Sequence, residues 1–110
     1  MNNSSIETAI SFRFLTLDKF QAYSLAHEIL GATHKQSATS PYYVAYVPLT
    51  KQNFDDINDY YVRQRIDLSC CDIFISVTAE SNSARVNIPE IVNRMLKYID
   101  CKLTFSFTVI

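Results

Sequence analysis

Three aspartates, two histidines and three cysteines are the side chains here whose types and spacing raise the question of chemistry. Asp55, Asp56 and Asp59 form a carboxylate cluster, and on a helix Asp55 and Asp59 share a face. A divalent cation could bridge that pair. Hard cations, however, take about six or more oxygens, and no further carboxylate stands at loop spacing, so a solvated helix start accounts for the cluster without a metal. The same aspartates would also make an acidic patch for a basic partner. His27 and His34, at either side of a helix end, match no zinc-ligand spacing. Cys70 and Cys71 are adjacent, and with Cys101 they form no C-x-x-C pair. A thiol nucleophile needs a nearby histidine or helix N-terminus to lower its pKa, and neither can be placed beside these three. They read as buried thiols behaving like small apolar residues. No catalytic, metal or cofactor-binding residue is assigned.

The glycine count excludes more than any motif suggests. Gly31 is the one glycine in 110 residues. Phosphate-cradling loops, dinucleotide fingerprints and the G-x-S-x-G nucleophile elbow all need several, because only glycine gives φ > 0 and close backbone approach at no steric cost. No cofactor is expected, and the reading leans away from an enzyme.

Composition bounds the rest. A chain of 110 residues fits one α+β domain spanning 1–110, with the polar residues 1–5 expected to be flexible. The net charge is −1, and the basic residues are scattered from Arg13 to Lys102. The basic stripe of a nucleic-acid binder is missing, so no nucleic-acid partner is expected. No apolar run approaches the ~20 residues of a membrane span, and residues 1–5 do not resemble a signal peptide. A cytoplasmic location, with reduced cysteines and no membrane contact, is the expectation.

Hydrophobic spacing supplies the elements that would position these side chains. Residues 9–15 alternate as a strand through Ile10, Phe12 and Phe14. Thr16 caps an expected helix over 17–30, with Gly31 at its end. Residues 32–40 are small and polar, hence a loop. A short strand over 42–47 lies between Pro41 and Pro48. Thr50 or Asn53 caps a helix over 51–66 whose stripe is Phe54, Ile57 and Tyr61, with Leu68 just beyond its end as a further member. Cys71–Ala79 alternates as a third strand and is followed by a polar turn over 80–84. Ile91, Val92, Met95, Leu96 and Ile99 mark a third helix opened by Pro89. Over 102–110, Leu103, Phe105, Phe107 and Val109 alternate with Thr104, Ser106 and Thr108. The order is βαβαβαβ. Each strand has one apolar and one polar face, unlike the continuous apolar runs of a sheet covered on both sides. The expectation is a two-layer sandwich: a four-stranded mixed or antiparallel sheet with three helices on one face.

That arrangement leaves a sheet face uncovered. It would carry Ser11, Arg13, Leu15, Asp72, Phe74, Ser76, Thr78, Thr104, Ser106, Thr108 and Ile110. Short hydroxyl residues suit a solvated face. Phe74 and Leu15 as apolar anchors, with Arg13 and Asp72 as specificity charges, would suit a docking face. Tyr42, Tyr43, Tyr60 and Tyr61 form a second candidate, an edge rich in amphipathic rings.

The run Ile29-Leu30-Gly31-Ala32-Thr33, after a strand and a helix, resembles one uncharacterised family of small bacterial α+β domains of unknown function. Ile88-Pro89 through Phe107 is similar to that family's strand–helix–strand C-terminal half. The sequence lacks the tryptophans common in the family's loop. The resemblance implies a fold and transfers no catalytic residue. The Asn-, Ser-, Ile- and Tyr-rich composition also resembles small accessory proteins of mobile bacterial elements such as integron cassettes.

Three functional expectations follow. The first is a non-enzymatic interaction module, self-associating as a dimer or binding a protein partner through the open sheet face or the tyrosine-rich edge, an edge strand being a simple route to the dimer. The second is an immunity- or antitoxin-like protein whose acidic helix masks a basic partner. The third is a small-molecule binder with a pocket between sheet and helices, near His27 or the 32–40 loop.

Overall fold

The longest strand, β1 (Ile6–Leu17), is the spine of the sheet in the computed structural model, which describes residues 6–80 and 86–110. Residues 1–5 and almost all of the turn expected over 80–84 lie outside the described residues. β1 pairs antiparallel with β3 (Tyr43–Pro48) on one side and with β4 (Cys71–Ala79) on the other. β2 (Thr33–Gln36) adds to β3 antiparallel, and β5 (Lys102–Val109) adds to β4 parallel. The sheet is mixed, in the order β2-β3-β1-β4-β5. A parallel neighbour needs a crossover connection, and α3 (Glu90–Tyr98) supplies it between β4 and β5.

The sheet therefore has five strands where four were expected, and the element order is βαββαβαβ. Thr33–Gln36 lies in the stretch expected as a loop. Its four polar residues have no apolar alternation, and their extended conformation is set by the ladder to β3 rather than by local preference. Such tertiary override is common for short edge strands.

The two-layer arrangement holds. Phe12, Phe14, Ala45, Val47, Ile73, Ile75 and Val77 project from one sheet face into a single buried cluster. All three helices contribute to it: Ala22 and Leu25 from α1 (Lys19–Glu28), Phe54, Ile57 and Tyr60 from α2 (Phe54–Arg63), and Val92 and Met95 from α3. A register shift in β1 between Phe14 and Leu17 is a bulge. It returns Leu17 to the core face, so that Phe14 and Leu17 are both buried.

Local chemistry moves the helix boundaries. β1 continues through Thr16, so Asp18 rather than Thr16 caps α1. Its carboxylate accepts from the Gln21 N–H at 2.8 Å, and the Gln21 side chain accepts from the Asp18 N–H at 3.0 Å, a capping box. α1 ends at Glu28, and the Ala32 N–H closes a turn on the Ile29 carbonyl at 3.2 Å. Gly31 occupies the third position of that turn with φ +80°, where a type II turn favours glycine. α2 is shorter than expected. Asn53 ties its start to neighbouring backbone, donating from Nδ2 to the Leu30 and Pro48 carbonyls at 3.0 and 3.1 Å.

Candidate interaction surface

The open sheet face carries Arg13 and Asp72 as expected, and these two charges pair with each other. Arg13 and Asp72 are cross-strand partners in the β1–β4 ladder. The Arg13 guanidinium donates from Nε to Asp72 Oδ1 at 2.8 Å and from Nη2 to Asp72 Oδ2 at 2.5 Å, a bidentate pair. Thr104 on β5 donates its hydroxyl to the same Oδ2 at 2.6 Å. Arg13 also stacks on Phe74, its guanidinium carbon 4.2 Å from the ring centroid. Asp72 is buried under this lid, which raises its desolvation cost. Burial alone would push its carboxyl up; the Arg13 pair and the Thr104 hydroxyl outweigh it and hold the group below the ordinary carboxylate range. The hydrogen bond to Asp72 correspondingly raises Arg13. Leu15 and Phe74 are each half-buried. The network satisfies the Asp72 carboxylate and commits the Nε and Nη2 groups of Arg13 inside the chain.

The tyrosines separate. Tyr60 is fully buried, edge-to-face with Phe14, and its hydroxyl donates to the Gln21 carbonyl at 2.9 Å; burial pushes that hydroxyl's pKa up. It is a core residue, and Tyr61, expected in the helix stripe, is half-buried beside it. Tyr42 is exposed. Tyr43 packs with His34 of β2 and Tyr23 of α1, whose ring stacks on the imidazole at 5.0 Å between centroids. These tyrosines do not form one surface.

The remaining candidates lie apart from this face. Asp55 and Asp56 are exposed, whereas Asp59 sits 3.0 Å from Arg63, which also reaches Glu28 at 2.6 Å. Cys71 and Cys101 are buried. The Cys71 thiol is pushed up by its hydrogen bond to Cys101 and by burial, so it stays protonated. A cleft of about 160 Å³ is lined by Lys51, Glu90, Ile91 and Arg94. It is smaller than the roughly 300–1,000 Å³ of typical small-molecule sites. None of the 32–40 residues lines it.

The surface that sequence reasoning missed lies on β5. Alternation implied that Leu103, Phe105, Phe107 and Val109 enter the core. The register puts Leu103 beside Ile73, Phe105 beside Ile75, Phe107 beside Val77 and Val109 beside Ala79, hence on the helix-facing side. The helical layer stops short of them. Phe105 is 57% exposed, Val109 51%, Phe107 46% and Leu103 38%, while their β4 neighbours are all buried. The backbone edge coincides with this stripe. The Ile110 N–H donates to the Ala79 carbonyl at 2.9 Å. Backbone groups of alternate residues point to the same side of a strand. The even-numbered residues of β5 thus turn their N–H and C=O groups toward β4. Leu103, Phe105, Phe107 and Val109 turn theirs outward.

The two sheet edges differ. β2 is four residues long and carries Lys35, features that discourage further pairing. β5 is eight residues long, with Lys102 at its start and no charge, proline or glycine after it. Among the described residues no helix is long and apolar enough to cross a membrane. Comparison with family models, curated proteins and solved structures gives no match.

Proposed function

We propose that this chain is a non-enzymatic interaction module that self-associates by strand addition at β5. One observation carries the reading: the outward N–H and C=O groups of β5 belong to the same four residues that form the uncovered apolar stripe. Strand addition uses main-chain hydrogen bonds for affinity and alternate side chains for specificity, and β5 offers both on one edge. The stripe exposes about 350 Å² per copy if an aromatic side chain contributes roughly 150–250 Å² when fully covered. Covering both stripes completely would bury about 700 Å², below the about 1,200–2,000 Å² typical of stable interfaces, so the association is a weak one in which monomer and dimer exchange. This reading takes the β5 edge as the docking surface in preference to the open face, where Arg13 and Asp72 pair with each other.

Light scattering across a dilution series tests this reading. The wild-type chain should move from monomer to dimer mass with concentration. Phe105→Asp/Phe107→Asp should remain monomeric throughout with an unchanged circular dichroism spectrum, since both rings are exposed. A wild-type chain that stays monomeric, or a double variant that dimerises as well as wild type, removes the proposal.

A further inference from the structure

Resting on the reading that β5 is the self-association edge, we propose its geometry: two β5 strands pair antiparallel about a two-fold axis at Ser106. A symmetric antiparallel pair must place some residue opposite its own copy. With Ser106 there, Phe105 faces the partner's Phe107, Leu103 faces the partner's Val109, and Thr104 faces the partner's Thr108. In this register the outward groups of Leu103, Phe105, Phe107 and Val109 all find partners on both strands. An axis one residue away, at Phe105 or Phe107, shortens the overlap and leaves an end residue of the set without its ladder bonds.

Side-chain chemistry agrees with the backbone. On the helix-facing side the register forms two cross-strand Phe–Phe pairs flanked by Leu–Val pairs, contacts that stabilise antiparallel ladders. On the open face it sets hydroxyls against hydroxyls. Lys102 lies at the strand end, opposite the partner's Ile110, so no like charges meet. A C2 interface must be self-complementary, and this segment is so on both faces. The product is a continuous ten-stranded sheet, twice the five strands of one copy. Both helical layers lie on the same side, and the two apolar stripes lie side by side as the floor of a groove between them.

Ser106 and the partner's Ser106 form a non-hydrogen-bonded pair, with Cα atoms about 4.5 Å apart, a spacing compatible with a disulfide. Site-directed cross-linking reads the register. In a Cys70→Ser background, which removes the partly exposed native thiol, Ser106→Cys treated with diamide should double in mass on a non-reducing gel. Thr104→Cys alone should stay at monomer mass, and a mixture of Thr104→Cys with Thr108→Cys should double. Cross-linking of Ser106→Cys to Thr104→Cys in its place moves the axis to Phe105 and overturns the register. So does a dimer, sensitive to Phe105→Asp/Phe107→Asp, that none of these cysteines captures. In both cases self-association through β5 survives. A wild-type chain that stays monomeric in light scattering overturns both.

Discussion

Phe105 and Ile75 are side-by-side partners on adjacent parallel strands, yet Ile75 is completely buried and Phe105 is 57% exposed. They project from the same face of the same sheet. The difference is the helical layer, which covers β4 and leaves β5 open. Exposed apolar residues scattered singly are ordinary. Four along a strand edge with no pairing strand among the described residues are not, because such an edge is a template for another strand.

The Arg13–Asp72 pair should behave as a structural unit. Arg13→Met leaves a buried carboxylate without its cation and should cost about 3 kcal/mol or more. Arg13→Met/Asp72→Leu removes the stranded charge and should recover most of that loss. Urea denaturation of the two variants checks it. Equal destabilisation of the two variants would show that the stranded Asp72 carboxylate is not the source of the loss.

The same pair sets a pH dependence. Asp72 has a folded-state pKa below its ordinary value, so the folded state holds the carboxylate charged more strongly than the unfolded state does. Its contribution is fully present above the ordinary carboxylate range near about 3.9 and is lost as pH falls through the lowered folded value. Thermal midpoints measured from neutral pH downward should show an acid-side loss in wild type. That loss should be smaller in Asp72→Asn, whose starting stability is already reduced. Identical acid profiles would mean that Asp72 titrates normally in the fold.

Much of the layer architecture was legible in the sequence. Phe12 and Phe14, and Ile73, Ile75 and Val77, alternate because one face of each strand is buried, and that pattern placed the helices on one side. What escaped depended on distant partners. Thr33–Gln36 carries no apolar alternation; its ladder to β3 makes it a strand. The core stripe of α2 includes Tyr60 where Tyr61 was expected, a shift in helical phase decided by packing against Phe14 and the Gln21 carbonyl. The alternation of β5 reads the same whether or not a helix covers it, so its exposure was invisible to pattern. Arg13 and Asp72 were correctly placed on the open face. Their mutual pairing follows from the β1–β4 register, which the sequence alone does not specify.

Gly31 should resist substitution for two reasons at once. Its φ of +80° is unfavourable for any L side chain, and an added Cβ would lie 3.2 Å from Pro48 Cγ. Gly31→Ala should cost about 1–2 kcal/mol from the left-handed conformation alone. Chemical denaturation checks the value. A neutral substitution would show that the Ile29–Ala32 turn can change conformation at no cost.

Residue-resolved amide hydrogen exchange on β5, at high and low protein concentration, tests the central claim most directly. The amides of Thr104, Ser106 and Thr108, turned toward β4, should be protected at both concentrations. Those of Leu103, Phe105, Phe107 and Val109 should exchange quickly when dilute and slow down together when concentrated. Fast exchange of these four at every concentration would contradict the account, because the β5 edge would then be unpaired in solution.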